Sequence, residues 1–318
     1  MKTQGSKRNS NRGGGIDRIS SFPSNVIDHI LACMPVPDAA RTGILSRRPN
    51  GCDGFINLTS LVLKEILFEL SVVKIPKLVH LSLTKCSFIY QFCIHAPLLQ
   101  YLDLDENNGL NLSHYVVCKE LIFVSMVWNE FENDGQGCGQ RTILTKFVGC
   151  LAMLSHLYLD AHSLKYLAAG STIPGRLPTM ISNLTCLALT QITYNLDEMA
   201  CILCLLRSCP NLSVFMLWVR LMSNTDSKVV DYLEEPGLME ERLDQLQNVK
   251  LRYFSSTTEL LFVKLLLAIS PSLKAMHFKK SLKFLGSVEW MNNISRKLMQ
   301  FSTLFISKKV LQSYLLLI

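Results

Sequence analysis

The sequence predicts an α/β solenoid in which parallel strands stack side by side and crossovers, many of them helical, cover one face of the sheet. Three observations predict it. A Leu-x-x-Leu-x-Leu pattern returns along the chain, segments with helix start and stop residues fall between its copies, and prolines recur at matching joints before the next copy.

The clearest copies begin at Leu58 (LTSLVL), Leu78 (LVHLSL), Leu99 (LQYLDL), Leu154 (LSHLYL) and Leu184 (LTCLAL), with looser ones at Leu121, Leu212, Leu246 and Leu273. Most starts lie 20 to 34 residues apart, close to or somewhat beyond the period of leucine-rich repeats. In a strand, alternate residues share a face, so the last two apolar residues of each copy point into a common core while their neighbours point out. One such strand cannot bury its face alone, and stacking supplies the missing neighbour.

Helices are expected between several strands. Asn195 can cap one with Glu198 at its third position, running through Arg207 and stopped by Ser208-Cys209-Pro210. The same grammar recurs from Ser256 and Glu259 through Ile269 to Ser270-Pro271. A strand, a crossover and a parallel strand form a right-handed unit.

Composition sets the class. With 318 residues, 49% of them hydrophobic and 18% charged, the chain has enough apolar side chains for a large core. The formal charge is +7, but Lys2, Lys7, Arg8, Arg12 and Arg18 against Asp17 place +4 in the first 18 residues. That stretch is Gly, Asn, Ser and basic residues without apolar periodicity, so residues 1–18 are expected to be a disordered basic tail. The remaining charge is too small for the basic stripe of a nucleic-acid binder.

No apolar stretch near the N-terminus resembles a signal peptide, and the longest hydrophobic run, LLFVKLLLAI, contains Lys264. The expectation is a soluble protein of the nucleus or cytoplasm, with no membrane partner. Its eleven cysteines are spread through apolar segments, which favours reduced, buried thiols. Glycosylation at Asn57, Asn111, Asn183, Asn211 and Asn293 is then not expected.

Residues 19–50 read as a short helical module. Pro23 and Ser24 suit a helix start, and Val26, Ile27, Ile30, Leu31 and Met34 form a stripe at helical spacing, ended by Pro35. A second helix can begin at Pro37-Asp38 and carry Ala39, Ala40, Ile44 and Leu45 before Arg47-Arg48. Pro49-Asn50-Gly51 then favours a turn. Two helices this short hold too little core to stand alone, so they should pack on a partner or on the open end of the solenoid.

These residues carry a resemblance. LVHLSLTKCSF, HAPLLQYLDLD and LRSCPNLSVFML resemble the repeats of plant F-box proteins, and the stretch from Leu243 to Phe278 is similar to the FBD module that follows such repeats. Phe22-Pro23 and ILSRR resemble the start and the later part of an F-box; the family continues with a tryptophan where this chain has Pro49-Asn50-Gly51. The resemblance implies an F-box-like module at 19–50, incomplete at its end, leucine-rich repeats at 55–240, an FBD-like unit at 241–305 and an apolar tail at 306–318. It also implies docking to the Skp-type adaptor of a cullin-based ubiquitin ligase, with apolar contacts from Phe22, Pro23, Ile27, Ile30, Leu31 and Leu45 and a polar rim contact from Arg47.

The outward strand positions are the expected target-binding face. Counting alternate residues gives His80, Ser82 and Thr84, then Tyr101, Asp103 and Asp105, then His156, Tyr158 and Asp160, then Val214, Met216 and Trp218. Of these, Tyr101, Asp103, Asp105, Tyr158, Asp160 and Trp218 combine aromatic anchors with carboxylates, and Trp218 is expected to stand exposed.

Enzymatic chemistry has no matching motif. Cys201-x-x-Cys204 with Cys209 lacks a second pair at metal-binding spacing and lies in an apolar helical stretch, so buried core is expected. GQGCGQ, residues 135–140, lacks phosphate-loop spacing. The functional expectation is a non-enzymatic substrate receptor of an SCF-type ubiquitin ligase, needing no cofactor; the alternative is a repeat scaffold whose shortened F-box docks to nothing.

Overall fold

The computed structural model describes residues 57–67, 71–87, 89, 92–107, 115, 118–128, 151–168, 173, 175–220, 227–254, 257–280 and 296. The segment read as F-box-like lies outside the described residues, as do the basic tail, residues 135–140 and the apolar segment 306–318.

In chain order the elements are β1 (Ser60–Lys64), β2 (Ser71–Lys74), β3 (His80–Thr84), β4 (Phe92–His95), β5 (Tyr101–Asn107), β6 (Phe123–Trp128), β7 (His156–Asp160), α1 (Ala161–Ala168), β8 (Cys186–Ile192), α2 (Leu196–Arg207), β9 (Val214–Val219), α3 (Ser227–Leu233), β10 (Asn248–Phe254), α4 (Thr257–Ile269) and β11 (Ala275–Lys280). A 3-10 turn, Pro236–Met239, follows α3. Nine strands form one parallel sheet in the order β1-β3-β5-β6-β7-β8-β9-β10-β11, and β2 pairs with β4 in a second, two-stranded sheet. This is a leucine-rich-repeat-like solenoid.

The leucine pattern builds it. In β1, β3 and β5 the residues Leu61, Leu63, Leu81, Leu83, Leu102 and Leu104 are buried, and their strand neighbours are partly or fully exposed. The first leucine of each copy fills the turn that launches the strand. The N–H groups of Leu78, Leu99, Leu154, Leu184, Leu212, Leu246 and Leu273 each donate to the carbonyl three residues earlier, at 3.1–3.2 Å. All seven are buried, and in all but the last of these copies the two pattern residues that follow are buried as well.

Repeat length decides what fills each crossover. From Ser60 to His80 is 20 residues and from His80 to Tyr101 is 21, leaving room on the far side only for the four-residue strands β2 and β4. From His156 to Cys186 is 30, from Cys186 to Val214 is 28 and from Asn248 to Ala275 is 27, and these longer returns hold α1, α2 and α4. A helix advances ~1.5 Å per residue against ~3.3 Å for a strand, so a helical return needs the extra chain.

The capping expectation at Asn195 is met. Its Oδ1 accepts from the Glu198 N–H at 2.8 Å, opening α2, which ends at Arg207 with Ser208 as C-cap. Glu198 turns back further than a simple capping box: its buried carboxylate accepts from the Thr193 N–H at 2.7 Å and from the Thr193 hydroxyl.

The sheet crosses residue 240 without interruption. β10 pairs with β9, and Phe262 of α4 packs edge-on against both Phe215 and Tyr194, each with ring centroids 6.3 Å apart. Glu241 lies 3.1 Å from the Arg176 guanidinium and 3.3 Å from Arg207 Nε, pinning the start of this unit to the preceding repeats.

Candidate functional site

Parallel register places the outward residues in rows. One row runs His80, Tyr101, Phe123, His156, and the next runs Ser82, Asp103, Ser125, Tyr158. Neighbours sit about one strand spacing apart, ~4.8 Å, so flat side chains at matched positions meet face to face. His80 stacks on Tyr101 with centroids 4.2 Å apart and 13° between planes. Phe123 is 6.1 Å from Tyr101, 5.2 Å from Tyr158 and 6.4 Å from His156. Five rings thus form one aromatic strip across β3, β5, β6 and β7.

Carboxylates border that strip. Asp103 and Asp105 are half-buried on β5, and the Ser82 hydroxyl donates to Asp103 Oδ2 at 3.4 Å. Burial raises the Asp105 carboxyl above its ordinary range, and the charges of Glu106 and Asp103 add to the effect while Lys85 opposes it. Burial likewise raises the Tyr158 phenol.

Asp160 does not belong to this face. It is 0% exposed, and its Oδ1 accepts from the Ser163 N–H and hydroxyl. The reason is the immediate start of α1 at Ala161: the last strand residue serves as the helix cap, and its carboxylate turns to the first-turn amides that have no partner within the helix. His162 Nδ1 lies 3.4 Å from the other oxygen.

Trp218 is also less open than expected. It is half-buried on β9, and the Arg252 guanidinium, its register partner on β10, lies over the ring at 4.6 Å from the centroid. Its Nε1 is buried without a hydrogen-bond acceptor among the described residues.

Two functional-looking residues were not singled out from the sequence. Asn107 is buried at the end of β5, where its Nδ2 donates to the Leu83 carbonyl at 2.6 Å and its Oδ1 accepts from the Cys86 N–H at 2.8 Å. Asn107 and Cys86 stand three residues after the last leucine of their copies, a position that in leucine-rich repeats is held by Asn or Cys. Extending the pattern by those three residues finds both.

The cysteines of the helical stretch are core. Cys201, Cys204 and Cys209 are buried in and just after α2, and burial pushes the Cys209 thiol up to about 12. Among the described residues no cysteine is in a disulfide, and no group of three or more His, Cys, Asp or Glu side chains is placed to hold a metal. Among the same residues, no helix is long and apolar enough to cross a membrane.

Fold and face together define a repeat solenoid that presents an aromatic and acidic surface. No family model matches the sequence. The chain is similar to an F-box/FBD/LRR-repeat protein of Arabidopsis thaliana, at 30% identity over 249 residues, 74% of this chain. It spans 58% of that protein's length.

Proposed function

We propose that the chain is the substrate-recognition subunit of an SCF-type ubiquitin ligase, holding a target protein on the concave sheet while residues 19–50 dock onto a Skp-type adaptor. The observation that carries the reading is the aromatic strip bordered by Asp103 and Asp105, on a chain similar in sequence to an F-box/FBD/LRR-repeat protein. Such a receptor does no chemistry itself. It ties the target near conjugated ubiquitin and so raises the effective concentration of the target's lysines.

Affinity on such a face comes from a few aromatic anchors, with surrounding polar contacts setting register. The variant Tyr101→Ala, Asp103→Ala, Tyr158→Ala should lose partners that the parent chain recovers from plant extract. Equal recovery would rule the face out. A second reading, a binding scaffold outside any ligase, is favoured by Pro49-Asn50-Gly51, which stands where the F-box family continues its last helix. The two differ in adaptor binding and agree on the concave face.

A further inference from the structure

The aromatic and acidic strip occupies only one side of the nine-stranded sheet. On the other side, Lys250 and Arg252 on β10 and Lys279 on β11 are exposed, and Arg252 is in register with Lys279. None of the three forms an ion pair among the described residues. Three like charges on adjacent strands repel one another, and a parallel pair with facing cations loses stability relative to a neutral pair. A ligand with negative charge removes that cost. Trp218 provides a flat ring beneath Arg252, which holds the guanidinium on this face.

We infer that Lys250, Arg252 and Lys279, with Trp218, form a docking site for a short acidic segment of the target protein. The face limits its length. Asp103 and Asp105 stand five strands away from β10, roughly 24 Å at ordinary strand spacing, which an extended chain crosses in about seven residues. A longer anionic run would meet those carboxylates and be repelled, which sets register as well as charge. The same repulsion argues against nucleic acid, whose phosphates need a continuous basic stripe. The anion can be a carboxylate or a phosphorylated side chain, since both are recognised by the same cation cluster.

This proposal rests on the target-receptor reading but is tested apart from it. Binding of fluorescein-labelled peptides to the full chain would be followed by anisotropy. The peptides carry a block of glutamates, a matched block of phosphoserines, or a matched block of glutamines, and a single-stranded oligodeoxynucleotide of equal charge is the competitor. The glutamate or the phosphoserine peptide should bind, with affinity falling as salt rises, and the glutamine peptide should not. The Lys250→Gln, Arg252→Gln, Lys279→Gln variant should lose about tenfold or more in affinity, while still unfolding in one cooperative transition because the replaced side chains are exposed. Binding by only one of the two acidic peptides supports the site and identifies its anion. No binding of either, equal binding by the variant, or displacement by the oligonucleotide at lower concentration would overturn it. A result of that kind leaves the aromatic strip, with its own variant, standing or falling separately.

Discussion

Asp160 Oδ1 accepts both the backbone N–H and the hydroxyl of Ser163, at 2.8 and 2.7 Å, so the last residue of β7 is also the first anchor of α1. Asp160→Ala should destabilise the protein by about 1–2 kcal/mol, the cost of a lost helix cap, read as a lower denaturant midpoint at unchanged slope. Asp160→Asn keeps an acceptor at the cap and should retain most of that stability. Because the carboxylate is buried, Asp160→Asn should also leave target recovery as it is in the parent chain.

Asn107 bridges two repeats through the Leu83 carbonyl and the Cys86 N–H. Asn107→Ala leaves both groups buried without this partner, and an unpaired buried polar group costs about 1–3 kcal/mol. The variant should unfold at lower denaturant concentration. Amide exchange should speed up first at Cys86, whose N–H loses its acceptor.

Arg252 covers the Trp218 ring, and that contact can be read optically. Arg252→Ala should make Trp218 emission shift to longer wavelength and become easier to quench with acrylamide, taking Trp218→Phe as the reference for the other tryptophans. The stability change should stay below about 1 kcal/mol, as for cation–π contacts at exposed sites.

Buried thiols set an alkaline limit. Burial raises Cys118 to about 11 and Cys209 to about 12, whereas an unfolded cysteine ionises near ~8.5. The unfolded chain therefore loses these protons first. Stability from this source is complete below the unfolded value and falls as pH rises toward the folded values. Denaturant midpoints should decline progressively above about pH 8.5, and Cys209→Ala should give a shallower decline.

Much of the fold is legible because leucine spacing and burial are the same fact seen twice: Leu78, Leu81 and Leu83 are spaced by the turn and the strand they occupy. The caps at Asn195 and the stops before Pro210 and Pro271 are local signals and read equally well. What escaped needed information from another repeat. β2 and β4 are four residues each, too short to show a period, and they exist because the early repeats are short. Asp160 was misplaced because alternation was continued one residue past the point where helix chemistry takes over. The rings of the aromatic strip are visible one by one in the sequence, but their stacking, and the seating of Arg252 on Trp218, depend on register between strands that lie 21 to 34 residues apart along the chain.

The central claim is that a receptor built on this face works through an adaptor. The measurement that tests it most directly is co-elution of the purified full chain with a Skp-type adaptor, with a Phe22→Ala, Ile30→Ala, Leu31→Ala variant as control. The account predicts a stable complex that the triple variant fails to form. A folded, monodisperse chain that elutes apart from the adaptor, or a triple variant that still co-elutes, would contradict it.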